Sequence, residues 1–233
     1  MPTMVQPTMP ISLAVTEGIW CEPLAQLLAL QRVEEPEVGL HIAEAAISGL
    51  EECLLRGSHQ IAITLDQGSI KPTIRGVDLL WQEEMVLALP PRSPLLEHPE
   101  VTIEMLRSFR VLPGWPCAHP ALYADLHITT EDASSWGRAC SFELLATLVA
   151  ADYGVVIAPR SRVAPICGNE IELRPIAGGP YLLDTRLLRA PEHDTPAVQR
   201  FAERALRIGR SFQSSAAHCS LDQGARIGSS RST

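Results

Sequence analysis

Lysine is nearly absent from this chain: of 19 basic residues only Lys71 is lysine, and the first 70 residues hold just Arg32 and Arg56 against nine Asp or Glu. With a net charge of −8, such a surface repels phosphates and argues against direct nucleic-acid binding. Also missing is any CxxC pair. None of the six cysteines, Cys21, Cys53, Cys117, Cys140, Cys167 and Cys219, has a histidine at metal-ligand spacing. That pattern fits isolated thiols in a reducing cytoplasm, with no metal and no cofactor called for. No basic residue precedes Arg32 and no apolar stretch of signal-peptide length opens the chain, so export is not expected. The longest apolar runs fall short of the ~20 residues that cross a bilayer.

Catalytic signatures are missing too. There is no GxSxG elbow, no HExxH and no phosphate-cradling glycine loop, and His41, His59, His98, His119, His127, His193 and His218 show no partner spacing. Asp125, His127, Glu131 and Asp132 could be drawn as acid/base machinery, but a solvated loop suits their composition better. An enzyme is not expected.

What is present is a 233-residue chain with 46 % hydrophobic residues, enough for a full core. Its organising stretch is Leu144 to Pro159. Phe142, Leu145, Leu148 and Val149 share one helical face, Gly154 is placed to close the helix in a left-handed conformation, and Val155 to Ala158 form an apolar run ended by Pro159. Such a run needs cover on both faces, as an inner strand of a parallel sheet has.

Before it, Ile11–Val15 reads as a strand, and a helix starting at Pro23 buries Leu24, Leu27 and Leu28. A strand from Val38 to Ala45, a helix from Ile47 to Arg56 and a strand from His59 to Leu65 complete a βαβαβ opening. Leu79–Leu80 and Glu83–Pro90 read as two further strands, and Thr102 caps a short helix. Arg110–Leu112 is a short strand, and Ser135–Ala139 leads to a helix for which Ser141 is a candidate cap. Ile171–Pro175 and Leu182–Leu188 are strands around the Ala177–Pro180 turn. The last helix begins at Thr195-Pro196, buries Val198, Phe201, Ala202, Ala205 and Leu206, and is expected to end near Gly209.

Several strings in this order resemble the ligand-sensing domain of LysR-type transcriptional regulators. They are "LVAADYGVVIAP" with Asp152 where that family usually has glycine, "LLRGSHQIAIT", "VDLLWQEEMVLALPPRSPLL" and "PAVQRFAERAL". The resemblance runs from Ile11 to about Phe212. It implies an α/β protein with the two-lobed type 2 periplasmic-binding-protein-like fold, mixed and mostly parallel sheets flanked by helices. Lobe I would take residues 11–88 completed by 186–212 and lobe II residues 89–185, between a flexible leader at 1–10 and a disordered tail at 213–233. Gln60 and Ile47 depart from residues the family often carries there, Asp and Thr or Ser.

The implied function is sensing of a small-molecule effector in the interlobe cleft, as an antiparallel homodimer in the cytoplasm. DNA would be reached only through a helix-turn-helix segment that these residues do not include. A free-standing solute-binding protein of the same fold is the alternative, and an enzyme on that fold a more distant one. In such a cleft, ligand faces strand carboxyl ends and helix N-termini. This selects Thr16, Glu17, Gly18, Ala46, Ile47, Ser48 and Thr64 on the first lobe and Gly114, Trp115, Ser141 and Phe142 on the second. Helix N-termini with hydroxyl donors suit a small carboxylate. Ser48 and Ser141 could equally be plain N-caps, Thr64 a strand residue by propensity and Trp115 loop packing.

Overall fold

The computed structural model describes residues 10–16, 19, 21–66, 76–112, 120–126, 142–166 and 170–228, with residues 120, 121, 123 and 215–228 described by their backbone alone. Strand β1 (Ile11–Thr16) lies between β2 (Leu40–Ala45) and β3 (Ile61–Asp66), parallel to both. Helices α1 (Glu22–Glu34) and α2 (Leu50–Leu55) connect them. Alternation decides the two faces of this sheet. Leu13, Ile61 and Ile63 join the large core beneath α1, where Leu27 is buried, while Ala14 and Ala62 pack with Leu50 and Leu54 of α2.

One long strand, β4 (Gly76–Leu89), stands where two short strands were expected. Its register slips between Leu79 and Trp81, and this bulge at Leu80 breaks the alternation that a sequence reading follows. Residues 76–84 pair with β7 (Leu182–Arg189), which also pairs with β3. Residues 85–89 pair with β5 (Val156–Pro159) and β6 (Glu172–Pro175). The strand therefore belongs to both sheet halves and changes partners between Glu84 and Met85. Among the described pairings only β1 with β2 and β1 with β3 are parallel between strands, and the four made by β4 and β7 are antiparallel. The expected mostly parallel arrangement is thus confined to the opening unit, because β4 and β7 carry the chain out of and back into the first half.

The second half packs α5 (Phe142–Ala150) on β5, with Phe142, Leu145 and Val149 buried against Val86, Val156 and Ala158. Val155 to Ala158 are buried as expected, but β5 runs antiparallel to β4, with one parallel bridge from Val155 to Val111 on its other side. The left-handed residue after α5 is Asp152 (φ 61°), not Gly154. Gly154 is needed for a different reason: a Cβ there would stand 2.5 Å from the Arg110 carbonyl oxygen. The short helices α3 (Ile103–Leu106) and α4 (Pro120–Asp125) lie between the halves in sequence, and Thr102 Oγ1 caps α3 by accepting from the Met105 amide at 3.2 Å. Helix α6 (Arg160–Val163) follows β5 directly.

Helix α7 (Pro196–Gly228) closes the first half. Thr195 caps it through the Val198 amide (3.3 Å), and Val198, Phe201, Ala202 and Ala205 are buried as the stripe requires. It does not end at Gly209. That glycine lets the helix approach β4 closely, and with no proline after Pro196 the backbone stays helical through residues expected to form a disordered tail, as far as Gly228. Arg204, 6 % exposed, ties α7 to α1 through Glu34 (2.7 Å), Glu35 (2.8 Å) and Gln31 (2.8 Å). Burial raises the Glu35 carboxyl, but Arg204 and Arg200 more than reverse this and hold it below the usual carboxylate range.

Candidate functional site

The carboxyl ends of β1, β2 and β3 meet at one edge of the first half. Parallel register sets Thr16 beside Ala45 and, through the Val15–Ile63 pair, beside Thr64. Both threonines are 1 % exposed, and the Thr16 hydroxyl donates to Thr64 Oγ1 at 3.2 Å, which in turn reaches the Leu65 carbonyl at 3.4 Å. Two β-branched hydroxyls thus satisfy each other in the interior, at the end of the sheet where an α/β fold receives ligand.

The other expected residues divide. Ala46 and Ser48 are exposed and Ile47 half-buried in the turn after β2, next to Thr16 through the Thr16–Ala45 pair. Ser48 does not cap α2: the cap position is Gly49, at φ 88° with no side-chain bond. Phe142 is core, buried in the second half with the Arg162 guanidinium 5.3 Å from its ring centroid. Glu17, Gly18, Gly114, Trp115 and Ser141 lie outside the described residues. Of the Asp125, His127, Glu131 and Asp132 group only Asp125 is described, exposed on α4. No group of three or more His, Cys, Asp or Glu able to hold a metal occurs among the described residues.

Two polar features escaped the sequence reading. On the Thr16–Thr64 face, Arg186 sits across from Thr64 and binds Asp66 (2.6 Å) and Asp184 (2.7 Å), while Gln82 donates to Asp184 at 2.7 Å. This strip runs from β3 to β4, and its guanidinium is already matched by two carboxylates. On the opposite face Glu83 is in phase with Trp81, Met85, Leu87 and Leu89, all of them core residues. The alternation of that strand was the available signal; an acid in an inward position is its anomaly. Glu83 keeps some accessible surface as a residue, but its carboxyl is closely surrounded, and this burial pushes it above the usual carboxylate range despite Ser161, Trp81 and Arg162 nearby. Cys21, the N-cap of α1, is pushed up to about 12 by burial and by Glu83, so it stays a neutral thiol.

The architecture and the edge at Thr16 can now be set beside known proteins. The family described as the LysR substrate binding domain matches residues 6–209. No curated protein matches the sequence. Among solved structures the chain resembles a reduced form of OxyR from N. meningitidis, at 17 % identity and TM-score 0.72 over 85 % of this chain and 95 % of that one. It also resembles MetR, a LysR family regulator from N. meningitidis, at 20 % identity and TM-score 0.65 over 87 % and 94 % of the two chains. The effector binding domain of a BenM variant aligns at 16 % identity and TM-score 0.70 over 87 % and 94 %. These likenesses carry the fold, which is the periplasmic-binding-protein-like type 2 arrangement, and the match over residues 6–209 carries the family: the chain belongs to the LysR substrate binding domains.

Proposed function

We propose that this chain senses a small-molecule effector for a LysR-type regulator, that the effector enters between the sheet halves at the Thr16–Thr64 edge, and that it is bound without turnover. The observation that carries this reading is the buried hydroxyl pair at the carboxyl ends of two parallel strands, beside the half-open Ala46–Ser48 turn. The effector shifts a population of two arrangements, and it can do so only by the difference in its affinity for them. A carboxylate is its proposed class. Direct DNA contact is left to a helix-turn-helix partner segment, and the cytoplasm is the proposed compartment.

A homodimer is supported by the apolar exposure of both halves. Val33 on α1 (77 %) and Ile42 on β2 (49 %) lie on the first half, Leu144 (48 %) and Tyr153 (54 %) on the second. Strand β2 pairs with β1 alone among the described residues, which leaves an edge for a partner to cover. An antiparallel two-fold pairing would set one such patch on the other; light scattering that finds only monomer at micromolar concentration counts against it.

A thermal-shift screen of small carboxylates and their neutral analogues tests the sensing reading. Ligand at ~100 times its dissociation constant adds roughly 2.7 kcal/mol of stability. A hit that is recovered unchanged after incubation supports sensing, whereas consumption of the compound would favour an enzyme.

A further inference from the structure

The β3–β7 register sets Asp66 directly opposite Asp184, so two like charges share one face of the sheet and repel each other unless a cation stands between them. Arg186 is that cation. It lies two positions from Asp184 on β7 and directly opposite Thr64, on the face of the Thr16–Thr64 pair. Its Nη2 donates to Asp184 Oδ2 at 2.7 Å, while Nε stands 2.6 Å from Asp66 Oδ2, out of line for a hydrogen bond. Asp184 Oδ1 accepts from Gln82 Nε2 at 2.7 Å.

Charge and donors are both left over on this strip. Two carboxylates around one guanidinium leave one negative charge in excess, and Nη1 of Arg186 has no partner among the described residues. The neighbouring ion pairs differ. Arg189, on the opposite face, also meets two aspartates but spends Nη1 on Asp194 and Nη2 on Asp78, and Glu84 farther along β4 is matched one to one by Arg160. Nor is the strip sealed, since the side chains of Arg186 and Asp184 keep 29 % and 21 % of their surface open. A brace between strands needs neither the second carboxylate nor an open Nη1.

The two leftovers select a ligand chemistry. Nη1 offers donors to an anion, and a guanidinium holds a carboxylate through charge-assisted bonds. A bare carboxylate placed there becomes the third negative charge around one guanidinium, in a partly desolvated site. A zwitterion adds no net charge. In an α-amino acid the carboxylate and the ammonium are one carbon apart, and Asp184 is bonded to the nitrogen next to Nη1 on the same guanidinium, so the two polar groups meet two neighbouring partners. Each oxygen of Asp184 accepts one bond and retains a lone pair for an ammonium.

We propose that the effector is an α-amino acid, with its carboxylate held by Arg186 Nη1 beside Thr64 and its ammonium held by Asp184. Selection is by charge: Arg186 attracts the carboxylate, and the two aspartates turn away acids that bring no ammonium. The inference rests on the sensing reading and narrows its ligand from carboxylates to amino acids.

A thermal-shift screen of the twenty protein amino acids, followed by calorimetric titration of each hit beside its desamino acid and its primary amide, tests it. For leucine these are 4-methylpentanoate and leucinamide. The expected result is at least one hit whose desamino acid and amide both bind at least about tenfold more weakly. Asp184→Asn keeps the size and the acceptor for Gln82 but removes the charge, so it should weaken the amino acid by about tenfold and bind the desamino acid no worse than the unaltered chain does. Loss of a merely structural contact would weaken both ligands alike. Should that variant fail to fold, the three ligands on the unaltered chain still decide. A hit that binds as tightly without its ammonium or as its amide, or an Asp184→Asn change that weakens both acids equally, overturns the proposal. If none of the twenty binds while a carboxylate without an ammonium does, this inference falls and sensing stands. If nothing in either screen stabilises the chain, the sensing reading falls and takes this inference with it.

Discussion

Gly209 of α7 lies so close to Leu80 of β4 that a Cβ at 209 would stand 2.0 Å from the Leu80 carbonyl oxygen. In an ordinary helix interior, replacing glycine by alanine gains about 1 kcal/mol. Here the added methyl must push helix and strand apart at the bulge, and overpacking of this kind costs about 1–3 kcal/mol. Gly209→Ala is therefore expected to lower stability, a reversal of the usual sign. Urea denaturation of the two chains checks it, and a stabilised variant would show that the contact is loose.

A second pair of positions separates two uses of glycine. Asp152 holds a left-handed conformation, which costs a non-glycine residue about 1–2 kcal/mol, partly offset because glycine itself loses about 0.5–1 kcal/mol more backbone entropy on folding. Asp152→Gly should thus stabilise by about 0.5–1 kcal/mol. Gly154→Ala should destabilise by more than that, since its Cβ meets the Arg110 carbonyl oxygen at 2.5 Å. Melting temperatures of the two variants should move in opposite directions.

These glycines also mark where sequence reading stops. The apolar stripes of α1, α5 and α7 and the runs of β1 and β3 were legible, because local spacing alone decides which face is buried. Gly209 and Gly154 looked like helix stops because the close approach that requires them comes from Leu80 and Arg110, elsewhere in the chain. β4 was split in two because the Leu80 bulge resets the alternation. At the site, Thr16 and Thr64 were legible as strand-end hydroxyls, but their mutual bond depends on parallel register. Arg186 with Asp66 and Asp184 was invisible, since Asp66 joins it only through the β3–β7 pairing. Glu83 could have been found by phase, but an acid is ordinarily placed on a solvated face.

The α1–α7 clamp predicts a pH-dependent penalty. Glu35 and Arg204 are nearly buried and 2.8 Å apart. Arg204→Met leaves Glu35 with Arg200 and the Gln31 amide, so the loss is expected to stay below the roughly 3–5 kcal/mol that an unpartnered buried charge costs. Because the Glu35 carboxyl is depressed in the folded chain, its stabilising contribution is present above the unfolded glutamate range near ~4.3 and is lost as pH falls through the folded value. The difference in stability between the unaltered chain and Arg204→Met should therefore be largest near neutrality and shrink in acid. A difference that stays constant from neutral to acid pH would show that the arginine stabilises by packing and not by charge.

The Thr16–Thr64 pair allows recognition to be separated from stability. Thr16→Val removes one partner and leaves Thr64 its weaker bond to the Leu65 carbonyl, so a loss of about 1–3 kcal/mol of stability is expected whatever the residue does for ligand. Affinity lost in that variant would be ambiguous. The double change Thr16→Val with Thr64→Val removes both hydroxyls and keeps their shape, which can be nearly neutral for stability. If the pair contacts the effector, the double variant should fold with close to the original melting temperature while binding a screening hit at least tenfold more weakly, about 1.4 kcal/mol. Calorimetric titration of the double variant decides between the two roles. Unchanged affinity in a stable double variant would make the hydroxyl pair a packing device of the sheet edge and move the effector site away from it.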